Sequence, residues 1–383
     1  MKRRRFLGAA AALPAAAALP FAALPLAVHA PARAQAAPRA TFDPQPGRWR
    51  TWELVTRIEV AQPHGAVRAW VPLPSVDDTY QQTLGNTWRG NARSLQPHGD
   101  GRYGAAMLHA QWAEGESAPW LEVASQVRTQ DRAVDWSRRA PVQEDPATLR
   151  FWTRGTELMP IDGIVRDTAR DIVRGKRGDI EKTQAIYDWI VANTFREPTV
   201  RGCGVGDIKA MLETGNLGGK CGDINALFVG LARSAGIPAR DVYGIRLGPS
   251  AFGYKALGAA GPDVSKAQHC RAEVFLRDHG WVAMDPADVA KVMREETPQW
   301  IRSADHPIVA PVKAELFGGW EGNWLAYNRA HDVRLPNATD TQALGFLMYP
   351  QAETAAGRLD ALDPAAFRYT ITAREVDARG AKV

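Results

Sequence analysis

Apolar and polar positions alternate along residues 52–60, with Trp52, Leu54, Ile58 and Val60 on one face. This period of two is that of a half-buried strand. A turn around Pro63-His64-Gly65 leads to a second strand over 66–72, and more strands are expected over 105–112 and 120–128. Short strands punctuated by Gly, Pro and Asn predict a β-sandwich over residues 37–148. From Arg150 the period becomes helical. Residues 161–174 and 179–194 carry apolar stripes, the second through Ile180, Ala185, Ile186, Trp189 and Ile190. Asp179 is the expected N-cap of that helix, with Lys182 and Thr183 facing solvent. Asp207 is placed to cap a short helix over 208–212. Beyond Ile301 the chain turns rich in aromatics and small residues, and 344–350 and 367–372 read as strands. The pattern divides the chain into 1–36, 37–148, 149–300 and a β-rich cap, 301–383, of overall class α+β.

The middle segment is organised around residues 218–244. Gly218 and Gly219 make a permissive turn, and Cys221 follows where an amphipathic run begins through Ile224, Leu227, Phe228, Leu231 and Ala232. Gly236 and Pro238 stop that helix. Cys221 therefore sits at a helix N-terminus, where free N–H groups and the dipole favour a thiolate, and Lys220 adds positive charge. A lone cysteine more often serves as a small core hydrophobe. Downstream residues change that reading. His269 lies on an alternating strand, Arg277-Asp278-His279-Gly280 forms a hairpin turn, and Asp285 ends the returning strand. Nucleophile on a helix end, base on one strand and carboxylate on the next is the Cys/His/Asp arrangement of covalent acyl transfer.

These segments resemble the core of the transglutaminase-like superfamily, whose fold is related to that of papain-type peptidases. The resemblance rests on the Cys221-led helix ending in Ala235-Gly236-Ile237-Pro238-Ala239-Arg240, on His269 followed by Glu273-Val274, and on Gly280-Trp281 followed by Asp285-Pro286. It covers about residues 180–286. It implies a papain-like catalytic core over 149–300, a Cys-led helix packed on an antiparallel sheet, flanked by the sandwich and the cap. It also implies Cys221 as nucleophile, His269 as general base and then acid, and Asp285 as the group that orients His269. Arg271 departs from the pattern, since many members carry Trp there.

Composition narrows the partners. The formal charge of +5 comes from Lys2, Arg3, Arg4, Arg5 and Arg33, all within 1–36, which holds no acid. The rest of the chain is near neutral, which gives no nucleic-acid footprint. Residues 1–36 read as a twin-arginine export signal: Arg3-Arg4-Arg5-Phe6-Leu7, an Ala/Leu-rich stretch, and a small-residue cleavage site at Ala34-Gln35-Ala36. The expected location is periplasmic or secreted, with no membrane attachment after cleavage. Three cysteines in an oxidising compartment suggest a Cys203–Cys270 pair that leaves Cys221 free. A metal site of Cys203, Cys221, His269 and Cys270 lacks the ligand spacings such sites show, so no metal and no cofactor are expected.

Other features carry two readings each. The loop 201–207 lacks the strand and the Lys-Ser/Thr ending of a phosphate cradle, so it is expected at the rim of the site. Arg240, Arg246 and Arg271 read as half-exposed strand arginines, or as ligands for a substrate carboxylate. Trp320, Trp324 and Tyr327 read as core, or as one wall of the cleft. Asp288 competes with Asp285 for the triad position. The expected chemistry is attack of Cys221 on a peptide or protein amide in the cell envelope to give a thioester. Water as acceptor makes a peptidase or amidase, and a lysine amine makes a cross-linking transglutaminase. The remaining alternative is a non-catalytic envelope protein that keeps the fold for binding, against which the presence of all three triad residues speaks.

Overall fold

The computed structural model describes residues 41–377. The twin-arginine segment and its cleavage site lie outside these residues. Within them, no helix is long and apolar enough to cross a membrane.

The alternating pattern of 52–60 becomes the strand Arg50–Val60, in which every second residue from Trp52 to Val60 is buried. It is the hub of a four-stranded antiparallel sheet, flanked by Trp120–Thr129 and, on its other side, by the C-terminal strand Phe367–Val376. A five-stranded sheet packs against it, ordered Gly357–Arg358, Gln351–Thr354, Arg68–Leu73, Ala106–Gln111, Ser94–Gly99. Ile58, Val71, Leu108, Trp112, Leu121 and Phe367 interdigitate between the two. The sandwich therefore draws strands from both ends of the chain. Residues expected to form a cap contribute Gln351–Thr354, Gly357–Arg358 and Phe367–Val376 to its two sheets. Loop-closure entropy grows only slowly with loop length, so pairing strands about three hundred residues apart carries a modest entropic penalty.

The middle segment forms a second five-stranded antiparallel sheet, ordered Phe317–Gly318, Gly280–Met284, Gln268–Leu276, Ala239–Arg246, Trp324–Asn328. Its outer strands, Phe317–Gly318 and Trp324–Asn328, again come from beyond Ile301. The helix Cys221–Ser234 lies on this sheet and is buried on all sides from Cys221 to Arg233. Fully burying residues such as Phe228 and Leu231 contributes roughly 1.5–3 kcal/mol each. Gly236, at φ 85°, ends the helix in the left-handed region that glycine adopts without penalty. Arg233, though buried, donates from Nε and Nη1 to the carbonyls of Ala239 and Arg154 at 2.7 and 2.9 Å. Helices Gly163–Ile172 and Asp179–Asn193 pack beside it. Gly178, not Asp179, is the N-cap of the latter, and Thr183 is buried with its hydroxyl on the Asp179 carbonyl rather than facing solvent. The short helix runs Ile208–Thr214, with the Asp207 carboxylate on the Ala210 N–H as expected.

Candidate active site

Lys220 is the last extended residue before the central helix, so Cys221 occupies the first helical position. Asp223 holds this start in place. Its carboxylate accepts the N–H groups of Lys220, Val205 and Gly206 at 2.9, 2.8 and 2.9 Å. Gly222 donates to the Cys203 carbonyl at 2.8 Å. The loop 201–207 is thus stitched to the helix terminus, and Arg201, Gly202 and Cys203 line the cleft, as its expected place at the rim requires. Gly204, at φ 92°, permits the close approach: a Cβ there would stand 1.8 Å from an Asp223 oxygen.

The Cys221 sulfur lies within 4.8 Å of those of Cys203 and Cys270, and all three are buried free thiols. The expected Cys203–Cys270 disulfide is therefore absent from this arrangement. Hydrogen bonds from the Cys203 thiol first and the Cys270 thiol next, with a further one from His269, hold Cys221 well below the ordinary thiol range against burial. Its two neighbours are pushed up, Cys203 chiefly by its bond to Cys221 and Cys270 chiefly by burial. The negative charge of the cluster settles on Cys221.

Strand pairing brings the other two residues in. His269 sits on Gln268–Leu276, opposite Gly244, and Asp285 follows Met284, which pairs with Ala272 on the same strand. His269 Nε2 meets Asp285 Oδ2 at 2.7 Å, with Asp288 Oδ2 at 3.3 Å. Asp288 is engaged by Arg246 at 2.5 Å, while Asp285 has the shorter contact to the ring. Burial and Arg246 push the imidazolium down, but Asp288, Asp285 and the Asp285 hydrogen bond outweigh them and raise it to about 9. Burial and then the Asp288 charge raise Asp285, whereas Arg246 and His269 overcome burial to hold Asp288 well below the carboxylate range. The three sulfurs form one close group, and His269 with Asp285 and Asp288 forms another.

The structure separates the two readings of several residues. Arg240, Arg246 and Arg271 are buried rather than half-exposed. Arg240 pairs with Glu273 at 2.5 Å, and Arg271 lies over the Trp320 and Trp324 rings with its Nε 3.5 Å from Asp285. Of the three, Arg246 reaches the cleft. Trp320, Trp324 and Tyr327 are core residues behind the site, not a wall of it, and Trp324 Nε1 donates to the His269 carbonyl at 3.0 Å. Glu273 is the buried centre of three guanidiniums, those of Arg132, Arg240 and Arg329.

Sequence reasoning missed Asn225, Asp223, Tyr349 and Lys291. Asn225, one helical turn past Cys221, donates to the Cys270 carbonyl at 2.8 Å and to Asp285 Oδ1 at 3.2 Å. It also accepts from the Ala287 N–H at 3.3 Å, so it ties the thiol helix to the carboxylate. Its i, i+4 spacing from Cys221 was the available signal. Tyr349, from the C-terminal part of the chain, lines the cleft and hydrogen-bonds the Cys203 thiol. The cleft encloses about 560 Å³ and has Cys221 and His269 in its lining.

Comparison with known proteins adds to this geometry. A family profile, that of the transglutaminase-like superfamily core, matches residues 166–286. An uncharacterized protein of Haemophilus influenzae is 34% identical over 342 residues, covering 85% of this chain and 91% of the relative. Among solved structures, a candidate cysteine protease from Cytophaga hutchinsonii matches 86% of this chain and 99% of its own at 14% identity and TM-score 0.48. The periplasmic domain of TgpA from Pseudomonas aeruginosa matches 63% of this chain and 91% of its own at 15% identity and TM-score 0.32.

Proposed function

This chain belongs to the transglutaminase-like superfamily, and on that premise we propose that it is an exported cysteine amidase or peptidase using Cys221, His269 and Asp285. The observation that carries the reading is geometric: Cys221 opens the central helix and shares a cleft with His269, whose Nε2 is on Asp285 at 2.7 Å. In keeping with this, the surroundings hold the Cys221 thiol low and raise His269 to about 9. A thiolate–imidazolium pair is the resting state such chemistry needs.

The Cys221 thiolate attacks the acyl carbon of an amide. The carbonyl π electrons move to oxygen, and the Cys221 backbone N–H at the helix start is a ready donor to that oxyanion. Collapse of the tetrahedral intermediate expels the amine, which takes its proton from His269. The product is a thioester and a neutral imidazole. Since Nε2 is committed to Asp285, Nδ1 is the nitrogen left for this transfer. Water then adds to the thioester with His269 as base, the acid leaves, and the proton returns the imidazolium beside the regenerated thiolate. Asp285 keeps its charge next to the imidazolium throughout.

Water is favoured over a lysine amine as acceptor by the charge of the cleft. Lys220, Lys266 and Lys291 line it without an ion pair among the described residues, against the single acid Asp263 of that lining, a setting that repels an incoming ammonium. The twin-arginine pattern supports an envelope location, where peptide amides are the substrates within reach. The test is intact-mass analysis after mild iodoacetamide treatment, followed by a screen of peptides with and without added amines. Rapid single labelling lost in Cys221→Ala, together with hydrolysis of an amide by the wild type alone, is the expected result. Labelling no faster than an ordinary thiol would return the chain to the binding-protein reading, and amine incorporation exceeding hydrolysis would make it a transglutaminase.

A further inference from the structure

The cations around the cleft are unevenly satisfied. Arg196 pairs with Glu295 at 2.9 Å, Arg201 with Asp360 at 2.6 Å and Arg246 with Asp288 at 2.5 Å. Lys220, Lys266 and Lys291 have no ion pair among the described residues, and Asp263 is the acid among the residues lining the cleft. Lys291 is the informative one. It is half-buried, on the helix Pro286–Glu295 that Asp285 caps, and it shares the cleft with Cys221 and His269. The carboxylates whose charge reaches it, Asp288 and Glu295, are already engaged by Arg246 and Arg196. Burial first, and then the neighbouring Arg246, lowers the Lys291 ammonium to about 8. An ammonium withdrawn from water beside two guanidiniums, with no counter-charge of its own, gains when an anion enters.

We propose that the cleft selects acyl donors bearing a carboxylate beside the reacting amide, with Lys291 as its main ligand and Lys220 and Lys266 at the entrance. The proposal rests on Cys221 being the reactive thiol. It accounts for features the acylation chemistry alone leaves unused: the triad needs an oxyanion donor and a proton relay, not unpaired lysines. The carboxylate comes from either of two sources, an acidic side chain or a chain-terminal carboxyl group.

Two alkylating reagents of nearly the same size test this without a known substrate. Iodoacetate carries the carboxylate, and iodoacetamide is its neutral counterpart. Each forms a thioether on Cys221 as iodide leaves. Iodoacetate is expected to label Cys221 with saturation and about tenfold faster than iodoacetamide, as a charge-assisted contact supplies. Lys291→Met is expected to collapse the ratio of the two rates toward that of a free thiol, and Lys291→Arg to keep most of it. The ratio cancels any change in thiol reactivity that the substitution causes, and thermal melts report whether each variant is folded. Protection of Cys221 by N-acetylglutamate α-amide, which offers only a side-chain carboxylate, or by N-acetylglycine, which offers only a terminal one, identifies the source. A ratio of the two rates no higher than that of a free thiol would overturn the proposal while leaving the nucleophile in place. A preference that survives in folded Lys291→Met would remove Lys291 from the site. Failure of both reagents to label Cys221 would overturn the proposal together with the function it rests on.

Discussion

Asp285 holds His269 Nε2 at 2.7 Å with one oxygen and accepts the Asp288 N–H at 3.1 Å with the other. The carboxylate that orients the imidazole is also the N-cap of the helix Pro286–Glu295. The imidazole contact and the start of a helix are therefore joined in one side chain. Asp288 stands 3.3 Å from the same nitrogen and is shared with Arg246 at 2.5 Å.

This division of labour separates two substitutions. Asp285→Asn keeps a capping oxygen but offers an amide to the ring, and kcat is expected to fall by roughly four orders of magnitude. Asp288→Asn leaves the Asp285 contact in place and is expected to lower kcat far less, while costing stability because Arg246 loses its buried partner. Steady-state kinetics and thermal melts on the two variants check both halves. An equal loss of kcat in both would make the carboxylates a functional unit.

The Cys203 thiol is the largest influence holding Cys221 low. Cys203→Ala removes that hydrogen bond, so the midpoint of the pH–rate curve for Cys221 alkylation is expected to move upward. Mass mapping should still place the label on Cys221, since Cys270 remains raised by burial. An unchanged midpoint would assign the shift to His269 and the helix terminus instead.

His269 loses its proton near pH 9, because its folded value is raised. Acylation requires the imidazolium to protonate the leaving amine, so kcat/KM is expected to hold through neutral pH and to fall above about 9. A pH profile of kcat/KM checks this, and Asp285→Asn should shift the falling limb downward.

Asp241 is fully buried, and among the described residues no neighbour donates a hydrogen bond to either carboxylate oxygen; His331 Nε2 is 3.5 Å away. Burial raises its pKa to about 7. Unfolded, it releases its proton near pH 4, so between about 4 and 7 the folded chain binds the extra proton and stability falls as pH rises. Asp241→Asn removes that penalty. The variant is expected to be more stable at pH 8, by up to about 4 kcal/mol, with the advantage gone near pH 4. Denaturant unfolding at the two pH values measures it.

The sequence was legible wherever a signal is local. The alternation of 52–60, the stop at Gly236-Ile237-Pro238 and the cap at Asp207 are set by backbone sterics and nearest neighbours, and each appears in the fold. Cys221, His269 and Asp285 were nameable because a helix start and a hairpin fix their surroundings within a few residues of chain. Thr183 was misplaced because tertiary packing overrides an amphipathic pattern at its edge.

The local pattern was enough to mark the strand of 52–60, the helices begun at Cys221 and near Asp179, and three candidate residues for acyl transfer, Cys221, His269 and Asp285. Long-range packing set which strands share a sheet, that Phe367–Val376 completes a sandwich begun at Arg50, and that Tyr349 reaches the cleft. It also decided which cations keep their charge unpaired, leaving Lys291 without an ion pair among the described residues while Arg246 and Arg196 take the nearby carboxylates. Those outcomes depend on groups far apart in the chain competing for the same partners, and spacing along a sequence carries no record of that competition.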